Sequence, residues 1–461
     1  MKNKISSIEE YIEERKKIQS ENENLVGVVL NEQEKKADLV LSNLKKELNN
    51  DFDNNIPYSM PMISDHRLRN SKLYSVLRKL PKGSDLHVHG TGLVPIEKLI
   101  DFILKEDRLL IDVNTCILTY EKNKDTYTLK EALDLGLITK EQLLEKWTII
   151  GKKRKANAWE YFENIFVYHE AIDEDLDVLY NYYLFAFEYY ISINIYHVEI
   201  HVLLSKDLEK TNAIINTIKK AYFEVKNKHK ELIVSLIGAS MKMFETIEET
   251  KQIIDCVLDA HKNIKDDYDS NNIHDFVLGI DLINEEDKSR PLQEYASLLL
   301  EVKKANPNFE YYLHCGESIN ARNDNLIDAY LLGATRVGHG TNLYRYPNLL
   351  KSYADNEICL ESCLISNQSL GYVYDLRLHP SAEYLKRGVT IALCSDDPMY
   401  MENDTLVDDF FAAVVSWDLG IAEIKHLCIN SIMYSGIDQN LKKELMENWH
   451  IAWKKFIADI R

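Results

Sequence analysis

Two histidines separated by one residue, His87 and His89, close an apolar segment that reads SDLHVHG. Side chains on a strand alternate with a period of two, so both imidazoles project to the same side. His314 follows another apolar run and has Glu317 three residues on; His339 ends a third run, and Asp396-Asp397 precede Pro398. Three imidazoles and one carboxylate make a ligand set for zinc or a similar ion, with room left for a water. Glu317, His339 and Asp397 around that water, as acid, base and orienting groups, complete a pattern for metal-assisted hydrolysis. Alone, each piece is commonplace, since His-x-His recurs by chance and Asp-Asp-Pro starts turns. Their joint placement at successive strand ends points to a site.

Groups so distant in sequence need a fold that gathers strand ends. Eight strand-like segments, at 84–90, 194–203, 232–239, 276–282, 311–317, 336–340, 357–362 and 388–396, alternate with helical patterns. This rhythm predicts an α/β protein of the (β/α)8 TIM-barrel type, in which catalytic groups sit at the carboxyl ends of strands. A doubly wound open sheet is the competing fold, but no glycine-rich phosphate turn follows the first strand. Residues 7 to about 50 are expected to be helical, opened by a Ser7–Glu10 capping box, with a proline-containing connector over 51–61. The segment 91–193 is too long for an ordinary crossover. The expected organisation is a helical extension over 1–75 and a barrel over 76–461 that carries an insertion at about 91–193. A barrel of this type needs about 250 residues, so the two additions account for the rest of the 461.

Lys+Arg number 55 against 74 Asp+Glu, a formal net charge of −19, and hydrophobic residues make up 45%. That balance describes a soluble globular protein and disfavours nucleic-acid backbones and anionic membranes as partners. No apolar run follows Lys2 and Lys4, so no signal peptide is expected. The most apolar stretch, about 178–204, is broken too often by polar residues such as Asn181, Glu188 and His197 to span a bilayer. Seven cysteines without a Cys-x-x-Cys predict reduced thiols and a cytoplasmic location. His197-x-Glu199 lacks the Pro-Cys-x-x-Cys that the cytidine-deaminase zinc motif requires. His197, Glu199 and His201 share one strand face, either as a second metal site or as a hydrogen-bonded set inside the barrel.

PKGSDLHVHG (81–90), HCGES (314–318), RVGHGTN (336–342), SCLISNQSLG (362–371), His379-Pro380 and CSDDP (394–398) run in an order that resembles the adenosine deaminases of the metal-dependent amidohydrolase superfamily. The helical extension and the W-x-x-F-x-x-x-F pattern of Trp159, Phe162 and Phe166 resemble the growth-factor-type branch, here in an intracellular bacterial form. The resemblance implies one Zn2+ per chain, held by His87, His89, His314 and Asp396. It implies hydrolytic deamination of adenosine or a related 6-aminopurine nucleoside to an inosine-type product and ammonia. Glu317 would donate a proton to the purine N1, His339 would orient or deprotonate the attacking water, and Asp397 would bond N7. Asn284 and Trp159 are further candidate substrate-binding positions, Trp159 either lining the pocket or anchoring the insertion, and a homodimer built through the extension is implied by the branch.

Four positions depart from the family's usual pattern. Gly90-Thr91-Gly92 stands where an acidic ribose contact is common, and Asn284 where a glycine is usual. Glu199-Ile200-His201 replaces Glu-x-Arg, and Leu364 replaces a proline. Two of these touch sugar and base recognition, so the chemistry transfers more directly than the substrate. The alternatives are a nucleoside-binding or signalling protein with vestigial catalysis, removal of an N6 substituent, and action on a phosphorylated adenine nucleotide.

Overall fold

Strands rich in Val, Ile and Leu that are buried on both faces favour a parallel sheet covered by helices. The computed structural model describes residues 7–21, 26–59, 62–149, 158–269 and 272–460. In it the eight expected segments form one parallel sheet whose neighbours follow chain order. They are β1 (Ser84–His89), β2 (His197–Leu203), β3 (Ile233–Met241), β4 (Val277–Ile283), β5 (Glu310–Cys315), β6 (Arg336–His339), β7 (Cys359–Ser362) and β8 (Ile391–Leu393). The sheet closes on itself just past β8, where the Asp396 amide donates to the His87 carbonyl and the His89 amide to the Asp396 carbonyl, both at 2.9 Å. The result is a (β/α)8 TIM barrel.

Four strands stop earlier than expected, β1 at His89, β5 at Cys315, β6 at His339 and β8 at Leu393, and two of them show a local reason. β5 ends at Cys315 because Gly316 turns to φ 77°, and β6 ends at His339, itself at φ 65°. Within β1 the register to β2 slips between Asp85 and Val88. Such a bulge re-aims side chains and recurs beside active sites. Here it falls at His87.

The covering helices earn their place by apolar stripes. Helix Ile247–Asn263, opened by a Thr246–Glu249 capping box, buries Thr250, Ile253, Ile254, Val257 and Leu258, an i, i+3, i+4, i+7, i+8 pattern. No helix among the described residues is long and apolar enough to cross a membrane. All seven cysteines are buried free thiols.

The expected run of helix over 7–50 is two helices, Ile8–Glu21 and Glu32–Asp51. Asn31 restarts the second through a capping box with Glu34, after Gly27 at φ 67°. Glu32–Asp51 packs onto the barrel's C-terminal helices: Asp38 accepts the Ile421 amide at 2.8 Å, and Glu34 accepts from Lys425 at 2.7 Å and Trp453 at 2.8 Å. Between β1 and β2 the chain builds helix Ile96–Ile103, a small antiparallel sheet, helix Ala158–Ile165 and helix Leu176–Ser192. Parts of the expected extension (1–6, 22–25), connector (60–61) and insertion (150–157) lie outside the described residues.

Inside the barrel, fully buried Arg336 of β6 bridges Glu199 of β2 and Glu361 of β7, each at 2.6 Å. Removing one partner of a buried ion pair strands the other charge away from water. Arg336→Met is therefore expected to cost ~3–5 kcal/mol, read as a lowered urea midpoint; an unchanged midpoint would contradict this account.

Candidate active site

The barrel brings His87 and His89 (β1), His314 (β5) and Asp396 (just past β8) to one end. One ligand atom from each lies within 4.8 Å of the others. His87 Nε2 is 3.1 Å from His314 Nε2 and 3.6 Å from Asp396 Oδ1, while His89 Nε2 is 3.3 Å from that oxygen. Four ligands at about 2.1 Å from a tetrahedral ion lie about 3.4 Å apart, so the spacing suits a metal.

The hydrogen bonds beneath these rings support the same conclusion. His87 Nδ1 donates to Glu361 at 2.7 Å, and His314 Nδ1 donates to Asp281 at 2.6 Å. With Nδ1 donating, the neutral form of each ring presents its lone pair on Nε2, as a metal ligand needs. Burial would lower His87, but Asp396 and Glu361 hold it well above its ordinary value. At 3.1 Å the two Nε2 atoms can share either a metal ion or a proton. Burial would raise the Asp281 carboxyl, but His314 and His201 hold it well below the ordinary carboxylate range. Burial pushes His314 down to about 4, so the ligand ring is neutral.

Glu317 and His339 stand beside the ligands and are joined by Asn367. Asn367 Oδ1 is 3.2 Å from His379 Nε2, which orients the amide. Its Nδ2 then donates to Glu317 Oε1 at 2.8 Å and lies 3.2 Å from His339 Nδ1. Burial, followed by the charges of Asp396 and Glu286, pushes the Glu317 carboxyl well above its usual value, and burial pushes His339 well below its own. A protonated acid and a neutral base result. His339 and Asp396 are both left-handed, with φ of 65° and 62°. For residues other than glycine this conformation costs of order 1–3 kcal/mol, so the surrounding contacts impose it.

All four ligands except His87 line a cavity of about 580 Å3, together with Glu317, His339, Asp397, Asn284 and Trp159. Asp397 is buried, its Oδ1 has no hydrogen-bond partner, and burial pushes its carboxyl up to about 7. A Cβ on residue 92 would lie 2.8 Å from that oxygen, which gives the glycine of Gly90-Thr91-Gly92 a physical role. Asn284 sits at φ 96°, a conformation glycine adopts freely, so the side chain is placed in the cavity at some backbone strain. Trp159 lines the cavity while its Nε1 donates to the Tyr372 hydroxyl at 2.6 Å.

The trio on β2 turns to separate partners. His197 meets Ser84 at 2.9 Å, Glu199 pairs with Arg336, and His201 donates to Asp281 at 2.7 Å. It is a hydrogen-bonded interior set. Asp281, Glu361 and Asn367 were missed by motif reading. The available signal was a carboxylate inside an otherwise apolar strand, in FVLGIDL and EICLES.

The sequence profile of the adenosine deaminase family matches residues 140–451. The chain belongs to the adenosine deaminase family. It is therefore a hydrolase acting on C–N bonds. "Adenosine deaminase 2" of Dictyostelium discoideum is 26% identical over 98% of this chain and 87% of its own length. Among solved structures, an amidohydrolase from Burkholderia ambifaria with bound Zn superposes with a TM-score of 0.62 at 17% identity, covering 84% of this chain and 94% of that one. The N6-methyl-AMP deaminase of Arabidopsis thaliana superposes with a TM-score of 0.59 at 16% identity, covering 83% and 99%. These likenesses bear on the barrel.

If Asp281 sets the His314 tautomer, Asp281→Ala should weaken zinc binding by about 10- to 100-fold in a chelator competition, with the circular dichroism spectrum retained. Wild-type affinity would remove Asp281 from the account.

Proposed function

We propose that this adenosine deaminase family member hydrolyses the C6 amino group of an adenosine-like purine nucleoside, releasing ammonia and an inosine-type product. The observation that carries this reading is the meeting of the four-ligand cluster with an acid and a base tied through one amide. A zinc ion held by His87, His89, His314 and Asp396 supplies the Lewis acidity that makes water a nucleophile at neutral pH.

The chain's own groups do the rest. With Asn367 donating to Glu317 Oε1, the acid's proton sits on Oε2 and is delivered to the purine N1, which draws electron density from C6. His339, neutral at rest, orients the attacking water and accepts its proton. Asp397, whose carboxyl burial pushes up to about 7, offers a hydrogen bond to N7 in its protonated form, since N7 can only accept one. Water adds to C6, the proton taken by His339 passes to the amine so that it leaves as ammonia, and the remaining hydroxyl proton returns to Glu317 as the C6 carbonyl forms.

The described lining of the cavity carries Glu163, Glu170 and Asp173 and no lysine or arginine, which supports an uncharged sugar half. The basic run Lys152–Lys155 lies outside the described residues. We also infer a homodimer built through the first helix, which exposes Ile8, Tyr11 and Ile12 on adjoining turns.

Zinc-loaded protein offered adenosine, deoxyadenosine, adenine, AMP, ATP and N6-methyl derivatives should release ammonia or amine fastest from a nucleoside; no turnover on any of them sinks the reading. Glu317→Gln should lower kcat by about 10²- to 10⁴-fold while keeping its zinc. Because Glu317 must be protonated and its carboxyl is raised, activity should survive above the ordinary glutamate range and fall on the alkaline side. Ile8→Asp with Ile12→Asp should halve the mass seen by light scattering, and a mass already that of one chain in the wild type would refute the dimer.

A further inference from the structure

The proton donor is gripped at both ends, and only one of the grips belongs to the residues assigned so far. Its carboxyl is held by Asn367. Its backbone is held by Glu286, on the loop after β4, whose Oε2 accepts the Glu317 amide at 2.7 Å. Glu286 Oε1 accepts the Gly316 amide at 2.9 Å and Asn325 Nδ2 at 2.6 Å. The next residue repeats the arrangement, with the Ser318 hydroxyl donating to Asp287.

Glu286 is 5% exposed, and no cationic side chain among the described residues pairs with it. A buried carboxylate without a counter-charge is costly. Three N–H donors offset that cost, and hydrogen bonds to an ionised acceptor are about twice as strong as neutral ones. The loop they hold has little freedom of its own. Gly316 is at φ 77°, and a Cβ there would come within 2.7 Å of Leu326 and 2.8 Å of Asn342. Asn325 is fixed in turn, its Oδ1 accepting the Leu292 amide at 2.8 Å.

A general acid works only within hydrogen-bond reach of the atom it protonates, about 2.6–3.2 Å. A displacement of about 1 Å can cost about 100-fold in rate. We propose that Glu286 is a positioning residue that holds the backbone of Glu317 so that its carboxyl meets the substrate in line. This rests on the reading of Glu317 as the proton donor. It assigns Glu286 no contact with substrate or metal.

The test compares zinc-loaded wild type, Glu286→Ala, Glu286→Gln and Glu317→Gln, with Glu286→Ala also placed in the Glu317→Gln background. Glu286→Ala should lower kcat about 10- to 100-fold, with KM changed less than about threefold and zinc content kept. Glu286→Gln, which retains one acceptor oxygen, should recover part of the loss. Added to Glu317→Gln, Glu286→Ala should cost little more, because its effect runs through the missing acid. Wild-type kcat, loss of zinc, or a loss that multiplies in full with that of Glu317→Gln overturns the proposal. Should Glu286→Ala fail to fold, Asn325→Ala, which removes one donor from Glu286, should lower kcat less but with the same unchanged KM, and an unaltered kcat overturns the proposal equally. A Glu317→Gln protein as fast as wild type instead defeats the reading of the site on which it rests.

Discussion

The centre depends on two hydrogen bonds in which imidazole Nδ1 protons go to carboxylates buried in the barrel: His87 to Glu361 and His314 to Asp281. An ionised carboxylate can only accept, so in its neutral form each ring turns its lone pair to Nε2. The two Nε2 atoms lie 3.1 Å apart, close enough for a cation or a shared proton to sit between them. The candidate metal site thus depends on the interior of the sheet as much as on the four side chains that could bind an ion. Arg336 extends the chain of dependence by holding both Glu361 and Glu199. The polar axis of the barrel and the metal site are one network.

That network concentrates negative charge. Asp281, Glu361, Asp396, Glu317 and Glu286 are all buried; Arg336 pairs with Glu361, and buried Lys242 donates to the His314 carbonyl at 3.4 Å. Carboxylates in such a place either find donors, as Asp281 and Glu361 do, or keep a proton, as Glu317 does. The same crowding that burdens stability therefore holds the Glu317 carboxyl protonated above the usual glutamate range. The left-handed backbones of His339 and Asp396 add a further local cost that the closed barrel sustains, because the strands on either side leave these residues no alternative.

Much of this was legible beforehand. The eight strand segments, the His-x-His pair, His314 with Glu317, His339 and Asp396-Asp397 could be read because strand period and strand-end placement are local properties of sequence. The extension was read as continuous helix because its charge pattern continues. The break at Gly27 and the new cap at Asn31 are signals of single residues that a periodic pattern obscures. Asp281, Glu361 and Asn367 stayed hidden, since a lone polar residue in an apolar run has no periodic or spacing signature. Its meaning lies in what it touches.

By itself the sequence determined the barrel rhythm, marked His87, His89, His314, Asp396, Glu317 and His339 as candidate site residues, and offered no charge pattern suited to nucleic acid or membrane. These follow from local periodicity and side-chain chemistry. Only the tertiary structure decided that β1 slips its register at His87, that His201 serves Asp281, and that Asn367 ties the acid to the base. The same holds for Glu286, which grips the amide of Glu317 across two loops. Contacts between residues tens or hundreds of positions apart are set by strand register and loop closure, and these depend on how the whole sheet packs.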